Sequence, residues 1–290
     1  MTAYYRHTRI SPTMVRIDSQ NESAYLIEGR QRAALIDCCS GAGKIDEYVK
    51  TITGLPVVLL LTHGHVDHIG GAMNFPERYL NRQDWELAAE HGSYERRKEY
   101  LLSRPWDDVE EADIMPGQAG DFLPLHDGDE FDLGGVHLAA ISLPGHTRGS
   151  MVILHREERS VILGDACNPL TFLFFKEAPS IEEYRENLTS FRECWSKHYD
   201  TVYFSHFEQA DKNLVEENIR VCTEIMEGRA DDILLDIPLI RNYPEKCYIA
   251  KAIEGHPRNR IRRDGGTGNI VYRKSNIFKM AKQAERDKIC

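Results

Sequence analysis

Three imidazoles and one carboxylate fall within six positions of the run Thr62-His63-Gly64-His65-Val66-Asp67-His68-Ile69-Gly70-Gly71. The run follows directly on the apolar stretch Leu55 to Leu61, where a buried strand opens into a loop. Imidazole nitrogens and carboxylate oxygens at that density suit a divalent metal. In a loop leaving a strand, His63 and His65 can point together while Asp67 and His68 curl back toward a second position. With only 12 histidines in the chain, such a cluster is not what composition scatters by chance.

Three further polar residues stand just beyond apolar strands. His146 lies in the turn Leu143-Pro144-Gly145-His146-Thr147-Arg148-Gly149-Ser150 after Val136 to Ile141, Asp165 follows Val161-Ile162-Leu163-Gly164, and His206 ends Val202-Tyr203-Phe204-Ser205-His206. A lone histidine at any of these places reads as structural. Four strand ends that each deliver a ligand type favour a shared metal centre.

The elements that must position these residues can be read from periodicity. Short strands are expected at Met14 to Ile17, Ala24 to Glu28 and Arg32 to Ile36, a helix at Lys44 to Ile52, and a buried strand at Val57 to Leu61. Between Gly71 and Gly120 the chain turns helical and charged, with Arg82 to Glu90 and Tyr94 to Leu102 as helices. The aromatics Trp85, Tyr94, Tyr100 and Trp106 either pack this segment on the sheet or wall a substrate pocket. Strands follow at Val136 to Ser142, Ser150 to His155, Ser160 to Leu163 and Thr201 to Phe204, with helices at Ile181 to Lys197 and Leu214 to Glu227. Strands then helices, twice over, predict an α/β fold: an αββα sandwich of two mixed sheets flanked by helices. We expect a single domain over residues 1–290, with a helical insertion at about 77–120 and a C-terminal extension from about 230.

Composition narrows the classes. Hydrophobic residues make up 41% and charged residues 28% of 290, enough for a substantial core, and the net charge of −10 argues against nucleic acid or an anionic membrane as partner. Seven cysteines without framework spacing, Cys38 and Cys39 adjacent, suit a reducing compartment. Met1 to Ser11 has no apolar signal-peptide core, and no stretch reaches the roughly 18 apolar residues of a membrane span. The expected location is the cytoplasm. Oligomeric state is not legible, although the charged, aromatic segment after Gly71 is the surface a homodimer would use.

In order and context these segments resemble the metallo-beta-lactamase superfamily, over roughly Asp37 to His206. Carried over by motif, the resemblance implies a first metal site of His63, His65 and His146, a second of Asp67, His68 and His206, and Asp165 bridging. Leu35-Ile36-Asp37 resembles the family's first motif, an aspartate that supports the metal loop from behind. Two departures stand out. Ser205 precedes the last histidine where glycine is common, and Cys38 and Cys39 replace the usual small residue and glycine after the aspartate, as buried neighbours rather than ligands or redox thiols.

What the resemblance implies chemically is hydrolysis by a bridging hydroxide between two divalent ions, zinc first, with iron or manganese accepted by the same donors. Two carboxylates leave such a pair net positive, which favours an anionic transition state. Asp67 would orient the nucleophile besides ligating. The diiron reductases similar to this fold place glutamate where His65 stands, and they add a flavin domain. The expected substrate is a small molecule: a carboxyl ester, thioester or lactone. Phosphodiester or phosphonate hydrolysis is the alternative, with beta-lactamase or a non-catalytic metal-binding protein behind it. No counterpart of the basic glutathione-binding segment of the glyoxalase II-like group is found.

Substrate contacts are expected from Arg148, an anchor for carboxylate or phosphate unless held in a structural ion pair, and from Phe172, Phe174 and Phe175 in the aromatic loop after Asp165. The basic run Arg258 to Arg263 reads first as a surface turn and second as anion recognition. The glycine-rich Asp264 to Tyr272 lacks the lysine-serine pair of a nucleotide loop. His256 reads as an exposed or structural histidine.

Overall fold

The computed structural model describes residues 4–19, 22–103, 109–206, 209–237, 240, 243–254 and 261–279. The first sheet runs, in spatial order, through β1 (Arg6–Arg9), β2 (Met14–Asp18), β3 (Ser23–Glu28), β4 (Ala33–Ile36), β5 (Val57–Leu60), β6 (Arg78–Leu80) and β7 (Leu123–Pro124). β1 to β4 are antiparallel, and from β4 to β7 the pairing is parallel. The helical segment expected from about 77 therefore opens with a strand, β6.

The second sheet has the order β14 (Gln209–Asp211), β13 (Thr201–Phe204), β11 (Ser160–Gly164), β10 (Met151–His155), β9 (His137–Ser142), β8 (Glu130–Asp132). β8 to β11 form an antiparallel meander. Helix α5 (Ile181–Trp195) then carries the chain to β13, parallel to β11. Ser180 and Glu183 form a reciprocal cap at the start of α5, which satisfies donors at its first turn.

Period-two alternation explains the layering. Ala34, Ile36, Val58 and Leu60 pack with Leu138, Ala140, Ile153 and Ile162 between the sheets. Their neighbours Ala33, Leu35, Leu59 and Leu61 face the outer layer that holds Ile45 and Val49 of α1 (Ile45–Lys50). On the far side Ala139, Ile141, Val152, Leu154 and Val161 bury against α5 and α6 (Leu214–Met226). The result is the expected αββα sandwich.

A third, small sheet was not foreseen. β12 (Thr171–Phe172), β17 (Ile270–Arg273), β16 (Cys247–Ile249) and β15 (Ile233–Leu234) pair in that order. Leu170, Phe174, Leu235, Cys247, Ile249 and Val271 form its core, so β15 to β17 are fastened to the aromatic loop after Asp165. Among the described residues no helix is long and apolar enough to cross a membrane.

Candidate metal centre

Topology brings the chemistry to one edge. β4 and β5 are parallel, as are β11 and β13. β9 runs the same way as β11, because each is antiparallel to β10. The loops that leave β4, β5, β9, β11 and β13 carry Asp37, His63 to His68, His146, Asp165 and His206, and they meet where the two sheets face each other.

Asp37 is buried with φ 61, a left-handed conformation that aspartate tolerates better than most side chains. Its carboxylate accepts hydrogen bonds from Thr62 N (2.8 Å), Thr62 Oγ1 (2.8 Å), His68 Nδ1 (2.7 Å) and Ser205 Oγ (3.1 Å). The serine that departs from the family's glycine is thus bonded to the aspartate behind the loop. Cys39 takes φ 57, where glycine sits without strain. Burial pushes the Cys38 and Cys39 thiols up, and Cys38 Sγ donates to the His68 carbonyl, so both cysteines are packed support for the loop.

A second buried carboxylate, Asp84, ties two ligand loops together. It accepts from Gly64 N (2.9 Å), Thr147 Oγ1 (2.7 Å) and Gly149 N (3.0 Å). A Cβ on Gly149 would lie 2.5 Å from this carboxylate, and one on Gly64 2.9 Å from the Asp84 carbonyl oxygen. Glycine at both places allows the close approach.

The donors converge in two overlapping groups. His63 Nε2 lies 3.1 Å from His65 Nδ1, which lies 2.9 Å from His146 Nε2. His206 Nε2 lies 3.4 Å from Asp67 Oδ2. Asp165 Oδ2 lies 3.2 Å from His206 Nε2, 3.5 Å from His68 Nε2 and 3.9 Å from His146 Nε2, so one oxygen reaches members of both groups. Donor atoms lie within 4.8 Å of one another in each of three sets: His63, His65, His146; His63, His68, Asp165; and Asp67, His68, His206.

The chemistry of this set fits a pair of cations. Four imidazoles each spend one nitrogen on an outer acceptor: His63 Nδ1 on Thr62 Oγ1, His65 Nε2 on Glu177 Oε1, His68 Nδ1 on Asp37 and His146 Nδ1 on the Phe172 carbonyl. Those bonds fix the tautomers and aim the remaining lone pairs inward, the arrangement metal-ligating histidines share. His68 Nε2 is buried and makes no hydrogen bond. Burial and the facing imidazoles hold His63 well below the usual histidine range, and burial with His65 brings His146 down to about 4.

Burial opposes charge on His68 and His206 too. Asp37 and Asp67 nevertheless bring His68 up to about 10, and Asp165 holds His206 well above its ordinary value. Despite burial, Asp67 stays well below the carboxylate range because His68 and His206 face it, and His206 does the same for Asp165.

Comparison with known proteins agrees with this geometry. The profile of the metallo-beta-lactamase superfamily matches residues 18–206. The chain belongs to the metallo-beta-lactamase superfamily. Acyl-coenzyme A thioesterase MBLAC2 of Gallus gallus is 26% identical over 156 residues, 49% of this chain and 56% of that protein. Hydroxyacylglutathione hydrolase GloC of Haemophilus influenzae is 28% identical over 150 residues, 50% of this chain and 66% of its own length. The chain thus spans a little over half to two thirds of these relatives. The stereoselective inverting sec-alkylsulfatase Pisa1 from Pseudomonas sp. shares the fold, with a TM-score of 0.60 at 15% identity, over 78% of this chain and 42% of that one. The family match and these clustered donors together give the chain a candidate centre for two metal ions.

Around this superfamily centre the expected substrate residues separate. Phe175 is the aromatic in ring contact with the donors, 5.1 Å from His65 and 5.4 Å from His146. Phe174 is fully buried in the third sheet's core, and Phe172 packs on Phe174 while its carbonyl serves His146. Arg148 is exposed and its guanidinium pairs with Glu183 at 3.3 Å, the structural alternative raised above.

Of the described part of the basic run, Ile261 and Arg263 are exposed as a surface turn would have them, and Arg262 is the exception. Arg262 is buried against Asp264, Glu217 and the Gly268 carbonyl. Arg258 to Arg260, His256 and Trp106 lie outside the described residues. Trp85 donates to the Leu80 carbonyl and packs on the first sheet. Tyr94 is held near Glu111 and under Arg97.

Three residues of the site escaped sequence reading. Asp84 stands at a helix start, where an acid reads as a cap. Asn168 donates to Asp165 Oδ1 at 3.2 Å. Glu177 had a weak signal, as the one carboxylate between Pro169 and Pro179.

Proposed function

We propose that His63, His65 and His146 hold one divalent ion and Asp67, His68 and His206 a second, with Asp165 serving both, in a hydrolase for a small carboxyl ester or thioester. The observation that carries this reading is the set of four imidazoles locked by Thr62, Glu177, Asp37 and Phe172, with their other nitrogens gathered beside the carboxylates of Asp165 and Asp67. The nitrogen-rich donors favour zinc, with iron or manganese compatible. Two such ions, when bound, supply Lewis acidity and a water that ionises near about pH 7.

The chain's own residues orient and enclose. Glu177 holds the His65 proton at Nε2, so that Nδ1 stays a donor. Asn168 restrains Asp165 through Oδ1 and leaves Oδ2 turned to the histidines. Asp67 would orient the nucleophile besides helping to hold the second ion. Phe175 covers His65 and His146 with an apolar face that suits the acyl part of a substrate and limits water on that side.

Two of the relatives are named for cleaving acyl conjugates, acyl-coenzyme A and hydroxyacylglutathione, which favours a thioester. Among the described residues the two guanidinium groups considered for anion recognition are engaged, Arg148 with Glu183 and Arg262 with Asp264 and Glu217, which disfavours a phosphodiester. The test is a parallel screen of thioesters, carboxyl esters, lactones, beta-lactams and phosphodiesters at fixed metal content. Highest kcat/KM on short-chain acyl thioesters or esters is expected. Preferential turnover of phosphodiesters would overturn the substrate assignment.

A further inference from the structure

Helix α4 (Tyr94–Leu102) packs against α2 (Val66–Ile69), the short helix that carries Asp67 and His68. Its placement is firm. Ser93 caps its start by accepting from Arg96 N, and Arg97, buried one turn further on, donates to the carbonyls of Gly92 (3.3 Å), Met115 (2.7 Å) and Gly117. Leu101 is buried in a small cluster with Ala42 and Ile114. Between Arg97 and Leu101, Tyr100 is carried to the metal loop, and its hydroxyl lies 2.9 Å from Asp67 Oδ2. The same hydroxyl lies 3.3 Å from Glu22 Oε1. One phenolic hydrogen cannot serve both carboxylates, and the shorter contact is the one to Asp67.

Asp67 differs from the other donors in where its support comes from. Asp37, Thr62, Glu177, Asn168 and the Phe172 carbonyl hold their partners from strands or from loops at strand ends. Asp67 Oδ2 is held instead by a phenol on a helix between β6 and β7. We propose that Tyr100 is a positioning residue for Asp67, keeping its carboxylate turned toward His68 and His206, so that the segment carrying α4 controls how tightly the second metal ion is held. The inference rests on the ligand assignment proposed above. Loss of such an outer partner costs a metal site about ten- to a hundredfold in affinity.

The experiment compares wild type with Tyr100→Phe, each stripped of metal and titrated with zinc against a chromophoric chelator so that two dissociation constants are resolved. Tyr100→Phe removes one hydroxyl and keeps the ring. The expected result is a second constant weakened by about ten- to a hundredfold, a first constant within about twofold, and a metal-free thermal midpoint matching wild type. In an Asp67→Ala background the same substitution then changes neither constant, as a double-mutant cycle requires when Tyr100 acts through Asp67. An unchanged second constant, or equal weakening of both ions, overturns the role of Tyr100 and leaves a two-ion centre standing. A wild type that binds a single ion overturns the two-ion reading and this inference with it.

Discussion

The two halves of the centre are built on different principles. His63, His65 and His146 form an all-imidazole group whose tautomers are fixed by Thr62, Glu177 and a backbone carbonyl, and whose two loops are joined by Asp84. Asp67, His68 and His206 form a mixed group in which a half-buried carboxylate faces two imidazoles, with outer support from Asp37 and from Tyr100. Burial and facing imidazoles hold His63 and His146 below the usual histidine range, whereas facing carboxylates hold His68 and His206 above it. Both halves are braced from the segment between β6 and β7, but differently: Asp84 ties together the two loops that carry the imidazoles, whereas Tyr100 reaches a donor side chain, Asp67, directly.

Perturbations ranked by size can break this contrast. Asp165 Oδ2 touches both groups, so Asp165→Ala should reduce kcat/KM by about a thousandfold or more, the several kcal/mol that metal-centred charge stabilisation contributes. Metal titration should show both ions weakened, and an effect confined to one ion would mean that Asp165 does not span the groups.

Asp84→Ala should act on the first half. It strips the acceptor from two backbone N–H groups and a threonine hydroxyl, all buried, which predicts a loss of about 3–5 kcal/mol in denaturant unfolding. First-ion affinity should fall more than second-ion affinity, and equal losses would count against a brace specific to the two imidazole loops.

Arg148→Ala should touch neither half. Its pair with Glu183 is exposed, worth about 1 kcal/mol or less, so stability and kcat/KM are expected within about twofold of wild type. A large rise in KM alone would return Arg148 to the substrate pocket.

Much of this was legible in the sequence because it is local. The donors sit in one short motif or immediately after apolar runs, and strands of period two reveal their faces: Ala34 and Ile36 inward, Ala33 and Leu35 outward. The third sheet was hidden because β12 is two residues long and pairs with β17, about a hundred positions later. No local pattern marks such a pairing. Whether Arg148 was an anchor or half of an ion pair could not be read because its partner Glu183 comes from the next helix, and Arg262 looked like surface because the acids that bury it include Glu217 of α6. Asp84 was invisible for the same reason, since its three donors come from two loops that only the closed sandwich brings together.

A two-ion hydrolytic centre requires metal content and turnover to rise and fall together. Protein purified without chelator should hold about two divalent ions per chain by elemental analysis. Chelation should abolish hydrolysis of a short-chain thioester, and readdition of zinc should restore it in step with occupancy of the second site. A chain holding one ion or none, or one that hydrolyses at full rate after metal removal, would contradict the account.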